Sequence, residues 1–501
     1  MKMKILSTIY RTVLAAVLLP VLFSCNAFLD EMPDNRTELD TPDKISQILV
    51  SAYSTLLPVT MQELMSDNVT DYGSDMDIYQ SIFDQSYRLI DVTGEFFDSP
   101  SEVWNRTYQA IAAANHALEA IEKLGGGEDL DPFKGEALLC RAYGHFILVN
   151  TFCQAYNTAT STVDLGVPYA TEPETTVFVD YQRGSVADVY SHIAADIEEG
   201  YPLIDDTVYD QVKFHFNSAA AASFAAQFFL YYGDYDKAVA YATDAIGEDP
   251  TGLFRDWSLY TGTSATEYAN AFVSTEESAN FMLQTSNSLF FRYLNGRYFP
   301  TQQLMQSAIL TSSPWGAGSN MPYVYILYGY GNRSFFTPKF TENFVYSDIV
   351  AGIGQPYNIF VVFSSEKTMI DRAEANALKG DFQAAAADLN HFYHSLGSTL
   401  TLSDDQIADY YADNEYNTLP LAPAGLTLDD KTANMVRACL HARRIMTVHE
   451  GTRLQDLKRY GVSYTHALDG EAPVEVTPYD KRLAIQLPNT VVAAGLAENP
   501  R

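Results

Sequence analysis

Cys25 is the first residue whose setting implies covalent chemistry. Lys2, Lys4 and Arg11 precede an apolar stretch at residues 13–19, which runs on through Val21-Leu22-Phe23-Ser24-Cys25. That is the layout of a secretory signal, too short and wrongly flanked for a spanning helix. A leucine three residues before a cysteine, with a small serine between, is the pattern a lipoprotein-processing peptidase reads. Cleavage after Ser24 and lipid attachment at Cys25 are expected, and two or more acyl chains anchor stably where one is marginal. Other residues offer non-covalent chemistry through flat rings and polar edges. One group is Asp67-Asn68, Asp71-Tyr72, Asp75, Asp77 and Tyr79; the other runs from Trp315 through Tyr323 and Tyr325 to Asn332 and Arg333. Rings beneath, with Asp, Asn or Arg at the edges, suit a ligand with apolar C–H faces and a rim of hydroxyls.

Catalytic chemistry finds little support. Among 63 acidic residues, carboxylate pairs at hydrolase separation arise by chance. No Gly-x-Ser-x-Gly elbow or phosphate-binding glycine loop occurs, and His449-Glu450 has no second histidine one turn on. The Asp-rich stretch lacks glycine at the sixth and glutamate at the twelfth position of a calcium loop, so a solvated acidic loop is expected. No enzyme activity, metal or cofactor follows from these residues. Trp104 lies on an apolar helical stripe and is assigned to the core; Trp257, in Leu253-Phe254-Arg255-Asp256-Trp257, is assigned there too. Trp315 differs, because Ser312-Ser313-Pro314-Trp315-Gly316 gives a ring little to pack under; it is read either as an exposed platform for ligand stacking or as a lid against its own scaffold.

Removing residues 1–24 takes away three basic residues and no acid, moving the net charge from −32 to −35. A surface that acidic repels phosphates, which excludes nucleic-acid binding. With 47% hydrophobic and 19% charged residues, the chain is globular with a large core. Cys140, Cys153 and Cys439 remain once Cys25 is lipidated, too few for a disulfide framework. Cys140 and Cys153 sit among apolar residues and are expected as buried thiols.

The elements that would position these groups are mostly α-helical. Residues 217–250 form a helix pair: Ala219–222, Phe224, Phe228 and Phe229 precede Gly233-Asp234, and Ala238, Ala242 and Ala245 follow before Pro250. The small residues match the Ala–Ala–Pro half of a tetratricopeptide (TPR) unit. A second copy spans 370–396 about Gly380-Asp381, and further helices are expected at 103–124, 133–152 and 185–201. Residues 251–360 read as irregular and aromatic-rich, and 401–427 as a polar insertion. The division expected is a signal at 1–24, a lipidated tether at 25–42 and one α-helical domain at 43–501. Its TPR-like pairs lie near 103–152, 185–250 and 366–396, with a loop-rich ligand-facing region carrying a little β at about 251–360.

Motifs in this order resemble the SusD/RagB family of surface lipoproteins. Cys25 with Phe28-Leu29-Asp30 resembles its mature start; Trp104, Tyr108, Ile111 and Asn115 its first core helix; and Arg141-Ala142-Tyr143 with Gly166-Val167-Pro168 the next segment. Arg183, Val189-Tyr190, Arg372-Ala373-Glu374-Ala375 and Gly380-Asp381 follow, then Glu450-Gly451, Arg453, Asp456-Leu457 and Arg459-Tyr460-Gly461. Met446 departs from the glutamate common there. The resemblance implies an outer-membrane, lipid-anchored binding protein exposed at the cell surface. It would capture oligosaccharide and pass it to a SusC-like TonB-dependent transporter without chemistry. The RagB side of the family implies oligopeptide cargo instead, and a TPR scaffold that binds only protein is the third reading. The resemblance also points to the loop after the first helix, so the site would combine Trp315, Tyr323, Tyr325, Tyr72 and Tyr79 with Asp67, Asn68, Asp71, Asn332 and Arg333.

Overall fold

The computed structural model describes residues 38–174, 181–293, 296–301, 304–305, 313–316, 328–330, 334–413 and 419–501. Early in the chain come α1 (Pro42–Leu49), α2 (Val59–Leu64) and α3 (Ser81–Tyr87), followed by the long α4 (Pro100–Leu124) and α5 (Asp131–Phe152). The middle holds α6 (Val186–Gly200), α7 (Ser218–Tyr232), α8 (Tyr235–Ile246) and α9 (Ala265–Phe272). The C-terminal part adds α10 (Ser365–Lys379), α11 (Phe382–Ser395), α12 (Asp404–Asp413), α13 (Asp430–Thr447) and α14 (Thr452–Arg459).

The same turn joins two of the helix pairs. Gly233 and Gly380 take φ of 86° and 82°, a left-handed conformation glycine adopts without strain, and close α7 and α10. The following Asp234 and Asp381 then accept from the amides of Lys237 and Ala384 to start α8 and α11. Two residues thus reverse the chain. Alanines make the reversal tight: Ala222, Ala225, Ala226, Ala238 and Ala242 are all buried. Successive helices pack as neighbours, α4 on α5, α5 on α6, α7 on α8, α8 on α10 and α10 on α11, giving a layered helical scaffold. Helix α7 is apolar on almost every side because it is covered by α8, α10 and a strand. Its Phe224 meets Tyr143, Phe146, Phe216 and Phe363 at ring separations of 5.4–5.9 Å, each pair adding about 0.5–1.5 kcal/mol beyond burial.

Strands are few. Antiparallel β2 (Asn280–Ser286), β7 (Ile353–Ser364) and β6 (Asn343–Asp348) form a sheet in the order β2-β7-β6. Two-residue β1 (Thr70–Asp71) pairs with β3 (Tyr298–Phe299), β4 (Tyr328–Tyr330) with β5 (Ser334–Phe336), and β8 (Tyr464–His466) with β9 (Val474–Val476). Residues 251–360 therefore hold more regular structure than expected. The 401–427 insertion is likewise not all loop, because Ile407, Ala408 and Tyr411 share one buried face and fold 404–413 as α12 against α13. Cys140 and Cys153 are free, buried thiols, as expected, and Cys439 is a third.

An ionic knot joins the C-terminal helices. Arg443 of α13 reaches Asp371 (2.8 Å) and Glu374 (2.5 Å) of α10 and Asp456 (3.0 Å) of α14, with its side chain only 3% exposed. Glu374 also binds Arg459 and accepts from the Tyr460 hydroxyl at 2.5 Å. Removing Arg443 would leave buried carboxylates without their cation, which typically costs about 3–5 kcal/mol. Arg443→Ala should therefore show that loss in urea denaturation, whereas Lys123→Ala, at an exposed Lys123–Glu119 pair, should leave the midpoint unchanged.

Candidate ligand-binding surface

The loop after α2 is built into the scaffold from both sides. Asp67 takes a two-pronged hydrogen bond from Arg453 at 2.7 and 2.8 Å, and the Arg444 guanidinium donates to the Asp67 carbonyl at 2.9 Å. Asn68 is fully buried, accepts from Arg444 Nε at 2.8 Å and donates to Glu63 at 3.1 Å. Glu63 in turn receives the backbone N–H groups of His449 and Gly451, both at 3.0 Å. Burial alone would raise the Asp67 carboxyl, but Arg444 and Arg453 outweigh it and hold it well below the usual carboxylate range. Glu63 lacks such a pair, and burial pushes it up to about 7.

Beyond Asn68 the chain pairs with β3, Thr70 opposite Phe299 and Asp71 opposite Tyr298. Arg297 grips Asp71 through two bonds of 2.6 Å, and the Gly73 amide donates to the same carboxylate at 2.8 Å. Burial again opposes ionisation of Asp71, and the Arg297 hydrogen bonds leave it below its ordinary value. Tyr298 stacks on Tyr87 at 4.3 Å, and Tyr87 on His466 at 4.3 Å, a column of rings that supports the paired strands. Tyr72 is half-buried, with its hydroxyl on the Pro300 carbonyl at 3.0 Å. The outer loop is open: Ser74, Asp75 and Asp77 are exposed, as are Ile78 (40%) and Tyr79 (43%). An exposed ring in a loop with exposed carboxylates two and four positions before it, on a base fixed by arginines, has the groups to stack on a sugar ring and accept from its hydroxyls.

The expected residues separate into three groups. Tyr79 is exposed on this loop, Tyr72 is half-buried with its hydroxyl on Pro300, and the Asp71 side chain is sealed against Arg297 beneath it. Asp67 and Asn68 belong to the same loop, but their polar atoms are turned inward; the expectation of a solvated acidic loop is corrected there, because a buried carboxylate must be paired. Trp315 is not the exposed platform of its two readings. It is 2% exposed, stacks on Tyr393 of α11 at 4.1 Å and donates its indole N–H to Asn390 at 2.7 Å. The residues it packs under come from a helix distant in sequence. Cys25, Tyr323, Tyr325, Asn332 and Arg333 lie outside the described residues. Sequence reasoning missed Arg297, Tyr298 and Arg444 as supports; the available signal was that acids in an apolar setting need cations. A cleft of about 630 Å³ beside α4 contains Trp104 and Tyr108, but these rings pack on one another at 4.8 Å and Trp104 on Phe152 at 5.2 Å. The Trp104 and Tyr108 rings are engaged in packing, and the Tyr79 surface, with its ring 43% exposed, is taken as the candidate.

Residues 27–230 match the family SusD-like_3, described as starch-binding and associating with the outer membrane. Over that stretch the chain is similar to the family. Solved structures sharing its fold include a Bacteroides vulgatus protein named as a candidate sugar-binding protein, with TM-score 0.67 and 19% identity, covering 93% of this chain and 99% of that one. A SusD superfamily protein from Bacteroides thetaiotaomicron has TM-score 0.66 and 18% identity over 92% and 100% of the two chains. A SusD-like carbohydrate-binding protein from Bacteroides vulgatus has TM-score 0.65 and 16% identity over 91% and 96%. No curated protein matches the chain. Among the described residues, no helix is long and apolar enough to cross a membrane, and no His, Cys, Asp and Glu cluster could hold a metal.

Asp67 of the loop and Glu63 at the end of α2 set opposite pH responses. Asp67 is depressed in the folded chain, so its contribution is present at neutral pH and lost on acidification below the ordinary carboxylate range. Glu63 is raised, so the folded chain holds an extra proton between about 4.5 and about 7, and stability falls as pH rises through that window. Glu63→Gln should be less stable by about 1–3 kcal/mol, because its amide turns a donor toward backbone N–H groups. It should nevertheless lose that slope when Tm is followed from pH 4.5 to 7.

Proposed function

We propose that this is a non-catalytic glycan-binding lipoprotein of the outer membrane. It is held at the cell surface through lipid on Cys25 and passes captured oligosaccharide to a SusC-like TonB-dependent transporter. The observation that carries this reading is the family match over residues 27–230, whose description joins starch binding to the outer membrane. The loop geometry supports it: a ring and carboxylates facing water, on a base that ligand contact need not reorganise. Preorganisation of that kind lowers the entropy lost on binding. The signal-like N-terminus supports the anchor, and the acidic net charge of −32 agrees with a neutral ligand. Tyr79 is the proposed stacking ring, with Tyr72 beside it and Asp71 holding the loop in register.

Calorimetric titration against a polysaccharide panel, led by α-glucans, tests the reading. Binding of at least one glycan without release of reducing sugar is expected; no binding across the panel, or sugar release, contradicts it. Tyr79→Ala should weaken affinity for the bound glycan by about tenfold with Tm unchanged. Trp315→Ala should instead lower stability by about 3–5 kcal/mol, because it empties a core position.

A further inference from the structure

Lys458 is a buried cation with no carboxylate partner among the described residues. It sits in the last turn of α14, 4% exposed, and its ammonium donates to the Asn150 carbonyl at 2.7 Å and the Cys153 carbonyl at 2.9 Å. Those carbonyls end α5, so the lysine caps the negative pole of that helix. An ammonium has three donors, however, and the third has no partner among the described residues. Arg459 beside it differs, because Glu374 and Asp456 neutralise it. A buried charge left in this state calls for a counter-ion. Lys458 lines a cleft of about 250 Å³, in which no residue of the Tyr79 loop takes part. Lys481 lines it too, exposed and in no ion pair among the described residues. Asp164 gives one carboxylate oxygen to the Thr160 hydroxyl at 2.5 Å, and its other oxygen has no partner among the described residues. Tyr479 adds a ring 39% exposed, on backbone with φ of 58°, a left-handed conformation that L side chains rarely adopt. Its hydroxyl is tied to the Ala422 carbonyl, and Gly461 makes room for it, since a Cβ there would lie 3.0 Å from the ring.

Lysines alone would take any small anion. Asp164 in the same cleft narrows the choice, because a ligand beside it must bring hydroxyl donors as well as its own negative charge. The Tyr479 ring offers a surface for apolar C–H groups. The net charge of −32, with Asp164 at the site, favours one negative charge over the two of a phosphate. We propose that this cleft binds a hydroxylated ring monocarboxylate, a sugar acid of the uronate class. Its carboxylate lies on Lys458 and Lys481, its hydroxyls on Asp164, and one ring face on Tyr479. The site is separate from the Tyr79 surface and does not rest on the glycan-capture reading. Lys458 must be protonated to hold the carboxylate, and burial lowers it to about 8. The titratable and charged groups around it are Cys153, Arg459, Asp164 and Lys481. The protonated form prevails below that value, so affinity should fall about tenfold between pH 7 and 9.

Calorimetric titration of the purified chain with sodium glucuronate tests this, with glucose, acetate and inorganic phosphate as comparison ligands. Glucuronate should bind about tenfold or more tightly than each of the three, since none of them carries charge, hydroxyls and ring together. Lys458→Met should abolish binding. Because that substitution also removes a cap of α5, Tyr479→Gly is measured beside it; glycine suits the left-handed backbone, so affinity should fall about tenfold with helical circular dichroism unchanged. No glucuronate binding, a comparison ligand bound as tightly, or parental affinity in either folded variant overturns the proposal. Affinity that stays constant from pH 7 to 9 overturns Lys458 as its anchor. Glucuronate bound by a chain that takes no polysaccharide upholds the site and overturns the glycan reading alone.

Discussion

Arg443 lies where three helices meet, and its charge is tolerable there only if all three arrive together. A guanidinium removed from water needs its carboxylates in place, and these come from α10 and α14 while the arginine comes from α13. The neighbouring residue extends the constraint. Arg444 is one step round the same helix and faces the other way, toward Asp67 and Asn68. Arg453 of α14 closes on the same aspartate. The loop that carries the candidate surface is therefore positioned by the helix that holds the ionic centre, and the two cannot shift independently. Burial of this kind is weak as a source of net stability but strong as a selector of one arrangement, because alternatives leave charges unpaired.

The division of labour along 67–79 follows from that constraint. Its first residues face inward and are spent on arginines; its middle pairs with β3; its last residues face water. Asp71 and Arg297 mark the crossover, a sealed ion pair next to an open loop. Binding surfaces need such a gradient, since a ring held on a fixed base loses less freedom on contact than one on a free loop.

Much of the scaffold was legible before any coordinates. The Gly-Asp turns, with alanines at helical spacing on either side, located α7, α8, α10 and α11 to within a few residues, because a left-handed glycine and an aspartate cap are local devices. The core assignment of Trp104 held because periodic apolar stripes report burial, and Trp257 is buried as well. What failed was non-local. Trp315 could be read as an exposed platform because its cover, Asn390 and Tyr393, lies far along the chain. Asp67 and Asp71 looked solvated because Arg453 and Arg297 are hundreds of positions away. Arg453, Asp456 and Arg459 were visible as motif residues, yet nothing in the motif said that they were tied to α10 and to the loop after α2. The β6–β7 ribbon was hidden for another reason: its apolar residues are not alternated with polar ones, so it lacks the period of a half-buried strand.

The central claim is that a scaffold locked by buried arginines presents the 71–79 loop to a glycan. A crystal structure of the chain with a bound α-glucan oligosaccharide tests it most directly, the glucan chosen from the family's starch-binding description. The account predicts sugar rings against Tyr79 with hydroxyls at the neighbouring carboxylates, and Asp67, Asn68 and Asp71 still held by Arg453, Arg444 and Arg297. Sugar bound elsewhere on the molecule, or a loop whose arginine contacts break to admit the ligand, would contradict it.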